Sequence, residues 1–205
     1  MLKILIVFIF LTLYVDALSI KQKKENFINS ILPHIAVVYD ELYKQFKDIE
    51  KSTDTEKILK LQNIYGVKNK QDLLIALKPH PKSIVLAQAI VESGWGSSRF
   101  YKEANNLFGV WSSNPNQDRV PALEKRGGVK TIYLRKFKSV DESIRSYYFM
   151  IAKARAYKNF RFVRFYTDDV YLMVEYLDKY SEMGKKYTKT LQKIISYNKL
   201  TRYDK

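Results

Sequence analysis

The fold is decided by residues 86–96, LAQAIVESGWG, in which an apolar helix ends on a carboxylate and runs into a Gly-Trp-Gly turn. Pro81 and Ser83 are typical of a helix start and Gly94 of a helix end, so Glu92 is predicted to lie in the last turn. A helix C-terminus disfavours negative charge, and apolar surroundings add to that effect. The pattern therefore predicts a carboxyl group with a raised pKa, the property that a glycosidase needs in its general acid.

A second block follows this helix after one short loop. Residues 105–111 read NNLFGVW, and a two-stranded hairpin is predicted next, with residues 120–125 and 129–137 flanking a double glycine at 127–128. A lone glutamate at a helix end is most often a solvated acid without a chemical role, which is the alternative here. The neighbouring block at residues 105–111 instead favours a catalytic site that includes Glu92.

Length and composition limit the class of protein. The chain has 205 residues, of which 46% are hydrophobic, enough for one packed domain with extensions and too many for a disordered chain. Cysteine is absent, which excludes disulfides and thiol catalysis. The only histidines, His34 and His80, leave little for a zinc site or a Ser-His-Asp triad. No cofactor and no metal are therefore expected.

Residues 1–17 have the pattern of a secretory signal peptide. Lys3 provides the charged start, residues 4–15 the apolar run, and residues 15–17 a small-residue cleavage site. The run is short for a membrane span, and an uncleaved anchor is the alternative. We expect an exported protein, in the periplasm or the cell envelope.

The formal net charge of +15 predicts attraction to polyanions. Export argues against nucleic acid as the partner and favours an anionic cell wall or a membrane surface. The alternative is that the high lysine content only reflects the amino-acid composition of the source organism's proteins and has no functional role. We expect a monomer.

Helices dominate the rest of the chain. Residues 21–47 are predicted to form one or two helices, interrupted or started at Pro33. Ser139 and Glu142 form a capping-box pattern that opens another helix, so Glu142 is interpreted as structural. Further helices are predicted at residues 56–64, 69–77 and, with breaks, 157–205. Many helices with one small hairpin indicate the α+β class, mostly α.

These blocks together resemble the bacterial wall N-acetylglucosaminidases, a family that includes the Bax-like proteins and the hydrolase domain of the flagellar rod-cap protein. The resemblance is carried by residues 84–89 (IVLAQA), 92–96 (ESGWG) and 105–109 (NNLFG), with residues 98–100, 137–147 and 156–157 as a Bax-like pattern. It covers residues 25–190 approximately. The resemblance implies a lysozyme-like helical domain with a β-hairpin lobe.

We accordingly divide the chain into a signal peptide (1–17), an N-terminal helical extension (18–78) and a glucosaminidase domain with C-terminal helices (79–205). The resemblance implies hydrolysis of the β-1,4 bond on the reducing side of N-acetylglucosamine in peptidoglycan glycan strands. A muramidase or lytic transglycosylase of the same fold is one alternative. A non-catalytic wall-binding protein is another.

The resemblance places the catalytic acid at Glu92. A second acid of the hairpin lobe corresponds best to Glu124, where the match is loose because basic residues replace the usual neighbours; Asp118 and Glu103 are weaker substitutes. Tyr157 corresponds to a tyrosine that faces the acid. An exposed hairpin charge is the alternative for Glu124, and an ordinary buried aromatic is the alternative for Tyr157.

Five further residues are candidate substrate contacts: Trp95, Asn106, Phe108, Trp111 and Tyr147. The two tryptophans either stack on sugar or pack the cleft wall. Asn106 is also suited to holding the loop after the catalytic helix, because Asn side chains often bond backbone in such turns.

Overall fold

The computed structural model describes the backbone of residues 2–126 and 130–205 and the side chains of residues 19–122 and 131–205. The helices in these ranges are α1 (Leu2–Lys51), α2 (Thr55–Tyr65), α3 (Lys70–Leu77), α4 (Lys82–Ser93), α5 (Arg99–Ala104), α6 (Val140–Lys153), α7 (Lys158–Tyr166), α8 (Val170–Glu175) and α9 (Lys185–Tyr197). Two 3-10 turns, Arg155–Tyr157 and Leu200–Tyr203, and one hairpin of strands β1 (Arg119–Arg126) and β2 (Lys130–Arg135) complete the described elements. The predicted double-glycine turn lies outside the described residues.

Helix α1 runs without a break through Pro33, so the predicted interruption at this residue is wrong. A proline inside a helix removes one backbone hydrogen bond. Pro33 lies on the exposed face, where water can reach the carbonyl group that it leaves free. On the opposite face Ile31, Ile35 and Val38 are wholly buried in the main core. Burial of residues before and after the proline in the chain therefore keeps the helix continuous.

Helices α2 and α3 begin where the sequence places them. Asp54 accepts a hydrogen bond from the Lys57 N–H at 3.0 Å, and Asn69 accepts one from the Asp72 N–H at 2.8 Å. Such caps satisfy backbone donors that the first helical turn leaves free. The two helices pack beside the end of α1, where Phe46 contributes to a small second core cluster.

Helix α4 is the centre of the molecule. Every residue from Ser83 to Ile90 is buried, and the helix contacts α1, α8 and α9. Its first turn is capped from the far end of the chain, since Asp204 accepts hydrogen bonds from the Ser83 N–H at 2.8 Å and from the Ser83 hydroxyl at 2.6 Å. The helix is therefore held at its start by the chain's last residues and along its length by the core.

Strands β1 and β2 form an antiparallel pair, with Val120 opposite Leu134 and an irregular register between Pro121 and Lys125. Trp111 adds an isolated bridge to Leu134. Helix α6 follows, and its cap Ser139 accepts from the Glu142 N–H, while Glu142 Oε2 accepts from the Lys138 N–H at 2.9 Å. The capping role predicted for Glu142 is confirmed.

The main core joins residues from α1, α4, α6, α8 and α9. Phe27 and other apolar residues of α1 belong to this core, so part of segment 18–78 packs directly on segment 79–205. The domain boundary between these segments stays a prediction. Among the residues whose side chains are described, 19–122 and 131–205, no helix is long and apolar enough to cross a membrane.

Candidate active site

Glu92 lies in the last turn of α4, where the helix leaves the core. The helix ends after Ser93 because Gly94 adopts a left-handed conformation, φ 55°, and its N–H bonds the carbonyl oxygens of Ile90 and Val91. The residues from Ser83 to Ile90 are buried, whereas Glu92 is half-buried. The helix therefore delivers one carboxyl group to the edge of the core.

A tyrosine of α9 holds one oxygen of this carboxyl group. The Tyr187 hydroxyl donates a hydrogen bond to Glu92 Oε1 at 2.9 Å. Burial raises the pKa of Glu92, and the hydrogen bond from Tyr187 lowers it by a smaller amount. The net pKa lies above the ordinary carboxyl value, the direction expected from the sequence, so the protonated form is favoured more than in an exposed glutamate.

Three tyrosines from different parts of the chain surround Glu92. Tyr187 and Tyr180 stack with ring centroids 5.6 Å apart, and Tyr157 lies 6.1 Å from Tyr180. Burial, and after it the charge of Glu92, raises the pKa of each of these tyrosines. All three hydroxyls are therefore neutral over the working range of a protein. The carboxyl group thus lies against uncharged tyrosines, one of which, Tyr187, donates a hydrogen bond to it.

Asn106, Phe108 and Tyr147 lie behind this surface. Asn106 Nδ2 donates to the Val110 carbonyl at 2.9 Å and the Arg135 carbonyl at 2.8 Å, and its Oδ1 accepts from the Val110 N–H at 2.8 Å. Phe108 stacks on Tyr147 at 4.1 Å, and Tyr147 is 0% exposed. All three side chains are buried, and Asn106 forms the backbone hydrogen bonds expected of a loop-holding residue. Their roles as substrate contacts stay predictions.

The two tryptophans lie in separate grooves. Trp95 packs edge-to-face on Phe27 at 6.1 Å, and the Lys24 ammonium lies 5.1 Å from its ring. Trp111 is 60% exposed and lines a groove of about 460 Å³ beside the hairpin, together with Tyr133. Trp95 therefore borders the face formed by α1 and α9, whereas Trp111 borders the hairpin lobe.

The second carboxylate was expected on the hairpin lobe. The backbone of Glu124 belongs to β1, but its side chain lies outside the described residues. Glu103 is exposed and forms an ion pair with Arg99 at 2.9 Å, and Asp118 is exposed just before β1. Among the described side chains, no group of His, Cys, Asp and Glu is arranged to hold a metal.

The structure adds residues that the sequence did not single out. Tyr187 and Tyr180 face Glu92, and Gln88, one turn earlier on α4, is 0% exposed and bonds Tyr187. Tyr187 shares the apolar spacing of α9 with Leu191 and Ile195, so its pattern is that of an ordinary core aromatic. Gln88 interrupts the apolar run of α4, a signal that was available. Only the packing of α9 on α4 shows why it is there.

A mostly helical domain with a small β-hairpin and a half-buried glutamate at the end of its central helix has the architecture of the lysozyme-like class of proteins. Comparison with known proteins gives the family. Residues 67–200 match the glucosaminidase family, described as mannosyl-glycoprotein endo-β-N-acetylglucosaminidase. The chain belongs to this family.

Two curated relatives share parts of the sequence. The chain is 32% identical to protein bax of Escherichia coli (strain K12) over 117 residues, which is 54% of this chain and 40% of that protein. It is 43% identical to the exo-glucosaminidase LytG of Bacillus subtilis (strain 168) over 65 residues, 31% of this chain and 23% of that protein. The matches span less than half the length of either relative.

Solved structures share the fold. The catalytic domain of the autolysin Auto from Listeria monocytogenes has a TM-score of 0.59 and 21% identity, covering 89% of this chain and 88% of that one. A peptidoglycan hydrolase mutant from Sphingomonas sp. A1 has a TM-score of 0.52 and 18% identity, covering 87% and 96%. The α+β, mostly helical, lysozyme-like fold class predicted from the sequence is confirmed.

Proposed function

We propose that the protein is an exported peptidoglycan hydrolase that cleaves the β-1,4 bond on the reducing side of N-acetylglucosamine, with Glu92 as the general acid. The observation that carries this proposal is the half-buried carboxyl group of Glu92, whose pKa is raised by burial and whose Oε1 is held by Tyr187 at 2.9 Å. Membership of the glucosaminidase family supports the proposal.

The first step is proton transfer from Glu92 to the glycosidic oxygen. The bond between that oxygen and the anomeric carbon breaks, the leaving sugar keeps the proton, and positive charge develops on the anomeric carbon. Glu92 becomes a carboxylate in the same step. The hydrogen bond from Tyr187 strengthens as this charge appears, because a bond to an ionised acceptor is stronger than one to a neutral acceptor. The tyrosine therefore favours the product side of the proton transfer.

The second step needs a group that stabilises the cation. In one route Glu124 removes a proton from a water molecule that attacks the anomeric carbon. In the other route the oxygen of the substrate's own acetamido group bonds the anomeric carbon, with Tyr157 helping to position it, and water then opens the ring that forms. We favour the acetamido route, because an exposed hairpin holds a carboxylate less rigidly than a packed helix does.

Charge supports a partner in the anionic cell envelope. An open groove of about 770 Å³ beside Trp95 is lined by Lys24, Lys189 and Lys193 and by the ring of Tyr197, which is 81% exposed. Together with the net charge of +15, this surface favours attraction to acidic wall polymers. We propose that this attraction concentrates the enzyme on its substrate.

Two other functions fit the fold. A muramidase or lytic transglycosylase would cut next to the other sugar, and mass spectrometry of the released reducing ends separates it from a glucosaminidase. A non-catalytic wall-binding protein would give no clearing on a zymogram of purified wall. The half-buried acid and its hydrogen-bonded tyrosine favour an enzyme over a binding protein.

The proposal is tested with Glu92→Gln. The amide keeps the shape of the side chain and still accepts from Tyr187, but it cannot donate a proton as an acid. Hydrolysis of purified wall should fall by roughly 10²- to 10⁴-fold, the usual contribution of general acid catalysis. The matched control is Glu56→Gln, an exposed acid in the first turn of α2, which should keep full activity. Near wild-type hydrolysis by a folded Glu92→Gln protein would contradict the assignment.

A further inference from the structure

A continuous chain of buried polar groups lies behind Glu92. His80 Nε2 is 2.9 Å from the Tyr147 hydroxyl, and this hydroxyl donates to Gln88 Oε1. Gln88 Nε2 donates to the Tyr187 hydroxyl at 2.9 Å, which in turn donates to Glu92 Oε1 at 2.9 Å. Four hydrogen bonds therefore connect the turn before α4 to the candidate acid at its other end.

The members of this chain are fixed by packing. His80, Tyr147 and Gln88 are 0% exposed, and Tyr187 is 2% exposed. They come from four places: the turn before α4, then α6, α4 and α9. Buried polar groups of this kind are costly to leave unpaired, so the network has little freedom to rearrange.

The hydrogen bonds in this chain all point in one direction. Each tyrosine hydroxyl has a single proton. The proton of Tyr147 goes to Gln88 Oε1 and that of Tyr187 goes to Glu92 Oε1. Each hydroxyl must therefore accept from the group behind it, His80 Nε2 in the first case and Gln88 Nε2 in the second. The donors form a relay that ends on Glu92.

His80 is a neutral donor at the start of the relay. Burial, and after it the nearby charge of Arg164, lowers the pKa of His80 well below its usual range. A neutral imidazole has one N–H. If the proton is on Nε2, that nitrogen donates to Tyr147. The other nitrogen, Nδ1, has no hydrogen-bond partner among the described residues and then carries no proton. This tautomer avoids a buried N–H group without an acceptor.

We propose that His80, Tyr147 and Gln88 are positioning residues for Glu92, which act through the Tyr187 hydroxyl to fix which carboxyl oxygen carries the acid proton. Because Oε1 is occupied as an acceptor, the proton of the acid lies on Oε2, the oxygen that the described residues leave for the substrate. The same donors stabilise the carboxylate that forms when the proton leaves. The inference rests on the proposed role of Glu92 as general acid.

The relay has a signature in the pH dependence. The described titratable groups that face Glu92 are Tyr187 of α9, Tyr180 before α9 and Tyr157 of the 3-10 turn, all neutral. Loss of a donor behind Tyr187 weakens its hydrogen bond to the carboxylate, and the pKa of Glu92 then rises. The basic limb of the kcat profile, where the acid loses its proton, therefore moves to higher pH.

The test compares Tyr147→Phe with Tyr148→Phe. Both residues are buried on α6, and each variant loses one hydroxyl, but the Tyr148 hydroxyl bonds the backbone carbonyl of His80 at 3.2 Å and lies outside the relay. Thermal unfolding first establishes that both variants are folded at the assay temperature. Activity is then measured on purified, peptide-free glycan strands. We expect Tyr147→Phe to lower kcat about tenfold, to leave KM within about twofold and to move the basic limb upward. Tyr148→Phe should keep the wild-type profile.

A second pair of variants covers the case in which Tyr147→Phe fails to fold. His80→Gln keeps a side-chain N–H for Tyr147 and should keep the basic limb of the kcat profile at its wild-type pH. His80→Met has no donor and should shift this limb to higher pH. Identical pH profiles for Tyr147→Phe and Tyr148→Phe, or an effect on KM alone, would overturn the relay. Glu92→Gln distinguishes failure of the relay from failure of the proposed function. If Glu92→Gln is inactive but the pH profile of Tyr147→Phe does not move, the relay is rejected and the general-acid role of Glu92 stands.

Discussion

The Tyr187 hydroxyl donates to Glu92 Oε1 at 2.9 Å, although the two residues are 95 positions apart in the sequence. Burial at the end of α4 raises the pKa of the carboxyl group, and this single hydrogen bond works against it. A general acid needs both effects, since it must hold its proton near neutral pH and release it as the bond breaks. The contact between α4 and α9 therefore adjusts the pKa of the proposed acid.

Removing this hydrogen bond should change the pH profile. In Tyr187→Phe, burial acts on Glu92 alone, so the pKa of Glu92 rises further and the basic limb of kcat moves to higher pH. The rate at the optimum should fall by roughly tenfold, because the carboxylate loses a donor as it forms. Tyr101→Phe, at a half-buried ring that packs on Phe27, is the control. A profile that stays in place in Tyr187→Phe would contradict the tuning.

Glu92→Gln should also change stability with pH. The pKa of Glu92 is raised in the folded state, so folding is favoured while the group is protonated. That stability is fully present below the ordinary carboxyl pKa and is lost as pH rises through the folded pKa. Glu92→Gln should therefore unfold at a higher temperature than the wild type at pH 7, and the difference should disappear in acid. Equal unfolding temperatures at both pH values would show that the carboxyl group pays no desolvation cost.

The two routes for the second step predict different mutants. With the acetamido route, Glu124→Gln lowers the rate of wall hydrolysis without ending it, and Tyr157→Phe costs more. With Glu124 as base, Glu124→Gln should cost nearly as much as Glu92→Gln, because two groups that act as a unit fail together. Both variants are measured on one wall preparation. An inactive Glu124→Gln beside an active Tyr157→Phe would reject the acetamido route.

Binding to the wall should depend on where positive charge is removed. A triple variant, Lys24→Gln, Lys189→Gln and Lys193→Gln, neutralises the groove beside Trp95 and should weaken sedimentation with insoluble wall at low salt. The difference from wild type should shrink at high salt, where screening shortens the field. The matched control removes the same charge from α2 and the segment after it, at the exposed residues Lys57, Lys60 and Lys68. Equal loss in both triple variants would make net charge, and not the groove, the cause.

The sequence was sufficient for features that depend on neighbouring residues. The cap at Asp54, the start of α6 at Ser139 and the end of α4 at Gly94 all follow from side chains within a few positions of the backbone groups that they serve. The sequence failed at Pro33, where burial of the opposite face of α1 outweighs the local preference for a break.

The candidate site divides in the same way. The sequence by itself determined that Glu92 ends an apolar helix, because the apolar run and the glycine that stops it are adjacent in the chain. Only the tertiary structure decided which groups act on that carboxyl. Tyr187, Tyr147 and His80 reach it through hydrogen bonds formed when α9, α6 and the turn before α4 pack together. No local pattern distinguishes Tyr187 and His80 from ordinary core residues, and the sequence suggested a substrate contact for Tyr147 instead of this link. The physical reason is that a hydrogen bond in a core depends on distance in space, whereas a sequence pattern reports distance along the chain.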